Sequence, residues 1–162
     1  MLAFFAIKYL HLIGAAVLLG TGAGIAFFLL LAHRTGDVAT IAAVARIVVI
    51  ADLVFIATAV VLQPITGVVL AYLDGYALSE GWIVLSVALY LLAGAFWLPV
   101  VCVQRRMRDL AALAAAQREP LPPRYYRLYR TWFVFGFPAF AGVLGIFWLM
   151  LTRPDIPWLG QA

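Results

Sequence analysis

Charged side chains interrupt this largely apolar chain at a few points and leave four long stretches without Asp, Glu, Lys or Arg. The stretches contain 25, 21, 24 and 22 residues, at positions 9–33, 53–73, 81–104 and 131–152. About 20 residues of α-helix, rising about 1.5 Å per residue, cross the hydrocarbon core of a bilayer. The pattern therefore predicts an all-α membrane protein with four transmembrane helices.

The predicted helices, numbered one to four, cover residues 3–32, 41–72, 81–104 or further, and 126–151. The alanine-rich phrase LAALAAAQ after Arg108 is expected to continue helix three beyond the membrane. The phrase PLPP, residues 120–123, should end that extension. Since no connection is long enough for a separate soluble domain, we expect residues 1–162 to form a single four-helix domain.

The composition is that of a membrane protein and excludes several soluble activities. Hydrophobic residues make up 67% of the chain and charged residues 11%, whereas an ordinary soluble domain has roughly 25% charged residues. The first apolar stretch exceeds the roughly 7–15 residues of a signal-peptide core, so we expect it to remain in the mature protein. The sequence has no HExxH, CxxC or P-loop motif, which argues against soluble-type hydrolysis and phosphate chemistry.

The distribution of charge predicts how the helices are oriented. The net charge is +4, and seven of the eleven Lys and Arg residues lie between Arg105 and Arg130. Basic connections face the cytoplasm, so this charge needs no nucleic acid partner. The segment DGYALSE contains Asp74 and Glu80 but no basic residue, and we expect it to face outward. These charges predict an up-and-down bundle with both termini outside.

Aromatic residues gather near the predicted helix ends, as in the aromatic belts of membrane proteins. The residues that we assign to such a belt are Trp82, Trp132, Trp148, Trp158, Tyr72, Tyr76, Tyr125, Tyr126 and Tyr129.

Small residues on helix one predict close contacts, because near approach of backbones drives helix packing in lipid. At 100° per residue, Gly14 and Gly22 lie near the direction of His11. Gly20 and Gly24 form a GxxxG pair on roughly the opposite side. Helix one is therefore expected to be central, or to use Gly20 and Gly24 in a homodimer or against another membrane protein.

His11, in the phrase KYLHLIG, is the first candidate for chemistry. An ionisable side chain inside an apolar helix usually faces the interior of the bundle. His11 could bind a metal or haem through a neutral imidazole nitrogen, or relay protons. Alternatively, the His11 side chain only forms a hydrogen bond that joins two helices.

Lys8 lies one turn nearer the outer surface, on the same side of helix one. Its long stem can carry the ammonium group to the lipid headgroups. Alternatively, Lys8 meets a carboxylate of a ligand held by His11, as it would meet a haem propionate.

Other polar residues can be sorted by depth, because helices two and four run opposite to helices one and three. Level with His11, the expected partners of a cofactor are Gln63, Thr66, Ser86, Tyr90 and Met150. Met150 is a candidate second axial ligand. Gln63 precedes Pro64, and this proline removes a backbone hydrogen bond. The resulting kink either shapes a cavity or serves only the packing of the helices.

A second polar group is expected in the inner half and contains His33, Asp52 and Arg46, with Gln104, Arg105 and Arg106 at its edge. His33 follows His11 by 22 residues, or about 33 Å of helix, so one metal cannot bind both within a subunit. We interpret His33 as an interfacial residue or a second, separate site. Asp52 should require an Arg or His partner from another helix, because Arg46 points elsewhere.

The phrases KYLHLIG, LLLAHRTGD, LQPITG and EGWIVLS are similar to those of a family of uncharacterised bacterial inner-membrane proteins, a domain of unknown function. More distantly, the chain resembles the superfamily of the haem-binding four-helix protoporphyrinogen oxidase and the copper-resistance protein D membrane domain. That oxidase begins helix one with Lys-x-x-His, matched here by Lys8 and His11. The resemblance implies haem b contact by His11, activity assisted by Lys8 and a loose counterpart in His33.

Helix three departs from the oxidase pattern. In the oxidase, a Gly-Trp pair is followed by a further histidine and lysine, whereas Gly81 and Trp82 are followed here by the residues IVLS. The resemblance therefore implies common ancestry and haem contact without the same reaction.

The sequence leads to one main hypothesis and two alternatives. The main hypothesis is a multi-pass inner-membrane protein with a redox, haem-binding or metal-binding role centred on His11. The first alternative is a structural or accessory subunit that contacts a partner through Gly20 and Gly24. The second is a small proton or metal permease with Asp52 and the Pro64 kink beside its path.

Overall fold

The structure, a computed structural model, describes residues 1–156. Helix one spans Leu2–Thr35, helix two Val38–Leu73, helix three Gly81–Gln117 and helix four Pro123–Thr152. Each helix is long and apolar enough to cross a membrane, and residues 1–156 contain no β-strand. The predicted all-α fold with four membrane-spanning helices is confirmed.

Contacts between helices show that successive helices run antiparallel. Asp52 of helix two meets Trp97 of helix three, whereas Val60, further along helix two, meets the earlier residue Tyr90. Helices one and two, and helices three and four, show the same reversal. We call the end with the one–two and three–four connections the inner end. The end with the two–three connection is the outer end.

The two inner connections follow from local sequence. Gly36 takes a positive φ of 68° and ends helix one. The Asp37 carboxylate accepts the backbone N–H of Thr40 at 2.8 Å and so caps the start of helix two. Helix three continues through LAALAAAQ to Gln117, as predicted, and helix four begins at Pro123.

Helix two contains an irregular turn at mid-length. It is α-helical over Val38–Ala51, becomes a π-helix over Asp52–Ile56, and is α-helical again over Ala57–Leu73. A π turn accommodates one extra residue and frequently lies at a functional site. The turn begins at Asp52, the one acidic residue of this helix.

Helices two and three, and not helix one, are the central helices. Helix two packs against helix one along its length and against helix three, while helices three and four form the most extensive pair. Helices one and four touch over only a few residues. The expectation that helix one is central is wrong, because helix one packs mainly against helix two and touches helix four over few residues. A Cβ on Gly14 would lie 2.6 Å from Gln63 of helix two, whereas one on Gly20 would meet nothing within 4 Å.

The dense apolar core lies in the inner half of the bundle. Its most deeply buried members are Leu29, Met107, Ala111 and Tyr125, each at most 1% exposed. The cluster at the outer end is smaller and consists of Ala71, Trp82 and Ile83. Exposed apolar side chains elsewhere on the four helices form the surface that a bilayer would cover.

Three aromatic residues that we assigned to the lipid interface are buried inside the protein: Trp82, Trp132 and Tyr125. Tyr72, Tyr126 and Trp148 are exposed, in agreement with the belt. Trp158 lies outside the described residues.

The segment after helix four closes the outer end. The Arg153 guanidinium donates to the Tyr76 hydroxyl at 2.6 Å and lies 5.0 Å from the centre of the Tyr76 ring and 5.8 Å from that of Trp82. A Cβ on Gly81 would lie 2.6 Å from the carbonyl oxygen of Ile156, so this position requires glycine. The EGW phrase thus has a structural role in joining the two–three connection to the end of helix four.

Candidate functional site

Polar side chains that join helices inside the bundle form two separate groups, whereas the buried Ser86 hydroxyl donates to the Trp82 carbonyl of its own helix. The outer group joins helices one and two around His11. The inner group joins helix two to helices three and four around Asp52. Residues 12–32 of helix one, which lie between these levels, contain no titratable side chain.

His11 is held by a chain of hydrogen bonds that fixes its tautomer. The hydroxyl oxygen of Thr66 lies 2.7 Å from His11 Nδ1 and 2.8 Å from the carbonyl oxygen of Leu62. A carbonyl only accepts, so Thr66 donates to Leu62 and His11 Nδ1–H donates to Thr66. The other tautomer would place a proton on Nε2, which has no acceptor among the described residues. His11 Nε2 therefore carries a lone pair that no described residue uses.

Close packing positions the same imidazole from two sides. The Gln63 amide donates to the backbone carbonyl of His11 at 2.9 Å and fills the space above Gly14. A Cβ on Gly67 would lie 3.3 Å from the Cε1 atom of His11, so the ring rests directly on the helix-two backbone. Gly14 and Gly67 together allow the two helices to approach closely enough for these bonds.

Tyr90 compensates the hydrogen bond that Pro64 removes. A proline in a helix leaves the carbonyl four residues earlier without its usual donor, and that carbonyl belongs to Val60. The Tyr90 hydroxyl donates to Val60 O at 2.8 Å. The Gln63-Pro64 pair was expected either to shape a cavity or to serve only helix packing. The Tyr90 contact favours packing, because it occupies the carbonyl that Pro64 frees.

The remaining outer candidates do not gather around His11. Lys8 is exposed, and its ammonium lies 5.5 Å from the ring of Phe4, one turn nearer the outer end. Met150 is partly exposed on helix four, which touches helix one over few residues, and no described contact brings its sulfur to His11. Residues 1–156 contain no group of three or more His, Cys, Asp or Glu side chains that could hold a metal ion.

Asp52 is the centre of the inner group and is 3% exposed. Its Oδ1 accepts the indole N–H of Trp97 at 3.1 Å. Its Oδ2 accepts the Gln104 amide N–H at 3.2 Å, while the Gln104 amide oxygen accepts the indole N–H of Trp132 at 3.1 Å. Trp132 has only a donor to offer, which determines this orientation of the amide.

Stacked aromatic rings extend the inner group to His33. The ring of Trp132 stacks on Tyr129, with 6.0 Å between centres, and Tyr129 stacks on His33 at 3.9 Å. His33 Nδ1 lies 2.6 Å from the carbonyl oxygen of Leu29, so it donates there, and Nε2 accepts the Tyr125 hydroxyl at 2.9 Å. Both ring nitrogens of His33 are thus engaged, in contrast to those of His11.

The partners of Asp52 differ from those expected. They do come from another helix, but they are tryptophan and glutamine rather than arginine or histidine. Arg46 is exposed and makes no ion pair among residues 1–156. The structure therefore links Asp52 and His33 through a chain of side chains and leaves Arg46 outside it.

Trp97 is the residue that sequence reasoning missed. It lies in the middle of helix three, where a tryptophan is readily interpreted as apolar packing. The available signal was the pairing rule itself, because a buried carboxylate requires N–H or O–H donors and an indole supplies one.

Comparison with known proteins identifies the family. The family model described as "Predicted integral membrane protein (DUF2269)" matches residues 5–154, nearly the whole chain. The chain belongs to this family and is a multi-pass integral membrane protein. No curated protein and no solved structure matches it.

Proposed function

We propose that the protein is a haem- or metal-binding redox protein of the bacterial inner membrane, with His11 as the axial ligand. One observation carries this proposal: the Thr66 hydroxyl lies 2.7 Å from His11 Nδ1 and 2.8 Å from the carbonyl oxygen of Leu62. From this we infer that Nδ1 carries the proton and that the Nε2 lone pair is left for a ligand. Metal-binding histidines typically donate their other ring N–H in this way, because the bond fixes the tautomer and the ring orientation.

The ligand set favours haem over a bare ion. A bare zinc or copper ion requires three or four protein ligands, and the described residues offer no group of three. Haem b has four nitrogen ligands of its own and requires one axial side chain from the protein. His11 would hold it, and bound haem would supply one-electron redox chemistry at its iron.

Lys8 supports the same proposal. It is exposed one helical turn from His11, toward the outer end. An ammonium at that height can pair with an anionic group of a ligand held by His11, such as a haem propionate, and can otherwise reach the headgroups. The bacterial inner membrane is proposed because Arg105 to Arg130 crowd one side of the bundle, as expected for a cytoplasmic face.

The absorption spectrum of protein expressed with ample haem and purified in detergent tests the proposal. We expect a Soret band in the wild type and in His33→Gln, the matched histidine control whose ring nitrogens are both engaged. His11→Ala should lose the band. A folded wild-type protein with no haem absorption would overturn the proposal.

Thr66→Val provides a second variant that keeps His11. It removes the hydroxyl that accepts Nδ1–H, and loss of such a supporting bond typically weakens metal binding about 10–100-fold. Haem titration should show this loss in Thr66→Val, whereas Thr58→Val, at an exposed position on the same helix, should bind as the wild type does. Equal affinity in the two variants would contradict the role of the Thr66 bond.

The GxxxG face supports a second proposal, contact with another membrane protein or a second copy of this chain. A Cβ on Gly20 would meet nothing within 4 Å, and one on Gly24 would approach only Phe28 of its own helix. This face is therefore unused among residues 1–156. Gly20→Leu should reduce self-association or partner binding if the face is an interface, and unchanged association would remove this proposal.

A further inference from the structure

Asp52 has no part in the proposed role of His11, yet its position in the membrane requires an explanation. It is 3% exposed at the start of a π turn, in the middle of a membrane-spanning helix. An ionisable side chain in such a position is costly and usually marks a functional site. In addition, two side chains of helix three, Trp97 and Gln104, converge on it, and Trp132 of helix four bonds to Gln104.

The network around Asp52 is built for a carboxylate. Trp97 and Gln104 both present N–H donors, at 3.1 and 3.2 Å, one to each carboxylate oxygen. A carboxylate accepts such bonds on both oxygens, and bonds to a charged acceptor are stronger than neutral ones. The arrangement therefore compensates a buried negative charge without an ion pair.

The neutral acid fits the same network less well. A proton on the Oδ2 lone pair that Gln104 uses becomes a donor facing the amide N–H, so the amide then rotates to present its oxygen. After that rotation, the amide nitrogen of Gln104 faces the indole N–H of Trp132, and two donors oppose each other. One proton on Asp52 thus breaks the bond between helices three and four as well as altering the bond between helices two and three.

The charged groups near Asp52 do not fix its charge by contact. Arg105 of helix three acts on Asp52 through space, but residues 1–156 contain no ion pair to Asp52. Helix four presents neutral Trp132 and Tyr129, and on helix two the nearest charge is the exposed Arg46. Helix one has no titratable side chain between His11 and His33. Besides Arg105, helix three carries the exposed Cys102 thiol and the exposed Arg106 near this level, and its Tyr90 hydroxyl, nearer the outer end, donates to Val60.

We propose that Asp52 is a proton-binding site within the membrane-spanning bundle, and that its protonation releases the Gln104–Trp132 hydrogen bond between helices three and four. The step is a protonation: the carboxylate takes one proton from water and becomes a neutral acid, without electron transfer. The ligand of the site is therefore the proton itself.

The packing next to Gln104 determines how the proton arrives. The space beside it is lined by Leu29, Ala45, Val48 and Met107 and has no room for a water molecule. On this side, a proton therefore reaches Asp52 only when the inner contacts open. This couples proton binding to a conformational change and argues against an open channel.

Infrared difference spectroscopy of the haem-free protein, between mildly acidic and mildly alkaline pH, tests the proton site. We expect a carboxylic acid C=O band that appears on acidification and is absent from Asp52→Asn. Asp109→Asn, which removes an exposed carboxylate on helix three, should retain the band. Identical difference spectra for the wild type and Asp52→Asn would overturn the proposal.

The coupling is tested by nuclear magnetic resonance of the indole N–H groups in detergent micelles. The resonance of the Trp132 indole N–H should move toward the chemical shift of an indole N–H that has no hydrogen-bond acceptor. This movement should occur at the same pH at which the carboxyl band appears. The exposed Trp148 is the internal control and should not move. The movement should vanish in both Asp52→Asn and Gln104→Leu.

Persistence of the Trp132 movement in Gln104→Leu would overturn the coupling, even if the carboxyl band remains. Because both measurements use protein without haem, their failure would leave the role of His11 intact. Loss of the Soret band in His11→Ala would likewise say nothing about Asp52.

Discussion

The inner and outer halves of the bundle are held together by different forces. In the inner half, large buried side chains such as Met107 and Tyr125 fill a continuous core, and aromatic rings stack from Trp132 to His33. In the outer half, helices one and two meet through glycines and hydrogen bonds around His11, and the buried apolar cluster is small.

The environment of each half explains the difference. The helices contain 30 to 37 residues, or about 45–55 Å, while the hydrocarbon core of a bilayer is about 30 Å thick. The arginines between Arg105 and Arg130 indicate that helices three and four extend past the hydrocarbon core at the inner end, into contact with water and headgroups. Burial of apolar surface stabilises that part of the bundle. Within lipid this force is absent, so close backbone approach and polar bonds must hold the helices.

The largest expected effect is in the inner core. Tyr125 is fully buried, and its hydroxyl bonds to His33. Tyr125→Ala should lower the free energy of unfolding by about 3–5 kcal/mol, as for other large aromatic truncations, while Tyr125→Phe should cost about 1 kcal/mol. Reversible unfolding in mixed detergent micelles measures both.

Tyr126→Ala, at the exposed neighbouring position, is the control for this experiment. If Tyr125→Ala and Tyr126→Ala destabilised the protein equally, the inner half would not depend on its packed core, and the contrast between the halves would fail.

A second prediction concerns the carbonyl freed by Pro64. Tyr90→Phe removes the only described side-chain donor to Val60 O. An unsatisfied carbonyl away from water costs about 1–3 kcal/mol, so this loss should appear in the free energy of unfolding. In a Pro64→Ala background the backbone N–H of residue 64 can supply the missing bond, and Tyr90→Phe should then cost little. Equal cost in both backgrounds would refute the compensation.

The number and length of the helices were predictable from the sequence, because charge-free stretches of membrane-spanning length have one physical interpretation. The continuation of helix three to PLPP was likewise predictable from proline and alanine chemistry. The neighbour relations of the helices were not. Small residues on helix one indicate close contacts without identifying the partner, so they predict a central helix one, whereas helices two and three are the central ones.

For the polar residues, the sequence predicted the depth in the membrane but not the hydrogen-bond partners. Sorting by depth placed Gln63 and Thr66 beside His11, and the structure brings them there. It also placed Tyr90 and Met150 at that height, although depth alone cannot tell which direction a side chain faces. For Asp52, the expectation of a cationic partner is wrong, because neutral N–H donors can compensate a carboxylate. Such donors are uncharged, so charge patterns in a sequence do not identify them.

A smaller effect is expected where helices one and two meet. Gly14→Ala places a Cβ 2.6 Å from the Gln63 amide nitrogen, so the flexible Gln63 side chain must move and its bond to the His11 carbonyl is lost. The cost should be about 1 kcal/mol. Gly20→Ala is the matched control on the same helix, because its Cβ meets nothing within 4 Å. Unfolding measurements that rank Gly20→Ala as the more destabilising would reverse our assignment of the two faces.

The smallest effect is a pH dependence confined to the start of helix two. The hydroxyl and the backbone N–H of Thr40 both donate to the Asp37 carboxylate, and these bonds hold the pKa of Asp37 below its ordinary value. Because the folded pKa is the lower one, the cap contributes fully above the unfolded pKa of about 3.9 and is lost as pH falls through the folded pKa. Hydrogen-exchange protection of the first turn, corrected for intrinsic exchange, should therefore decrease on acidification. Asp37→Asn caps as well but cannot titrate, so its protection should stay constant over the same range. A parallel decrease in both proteins would assign the acid sensitivity to another group and remove Asp37 as its cause.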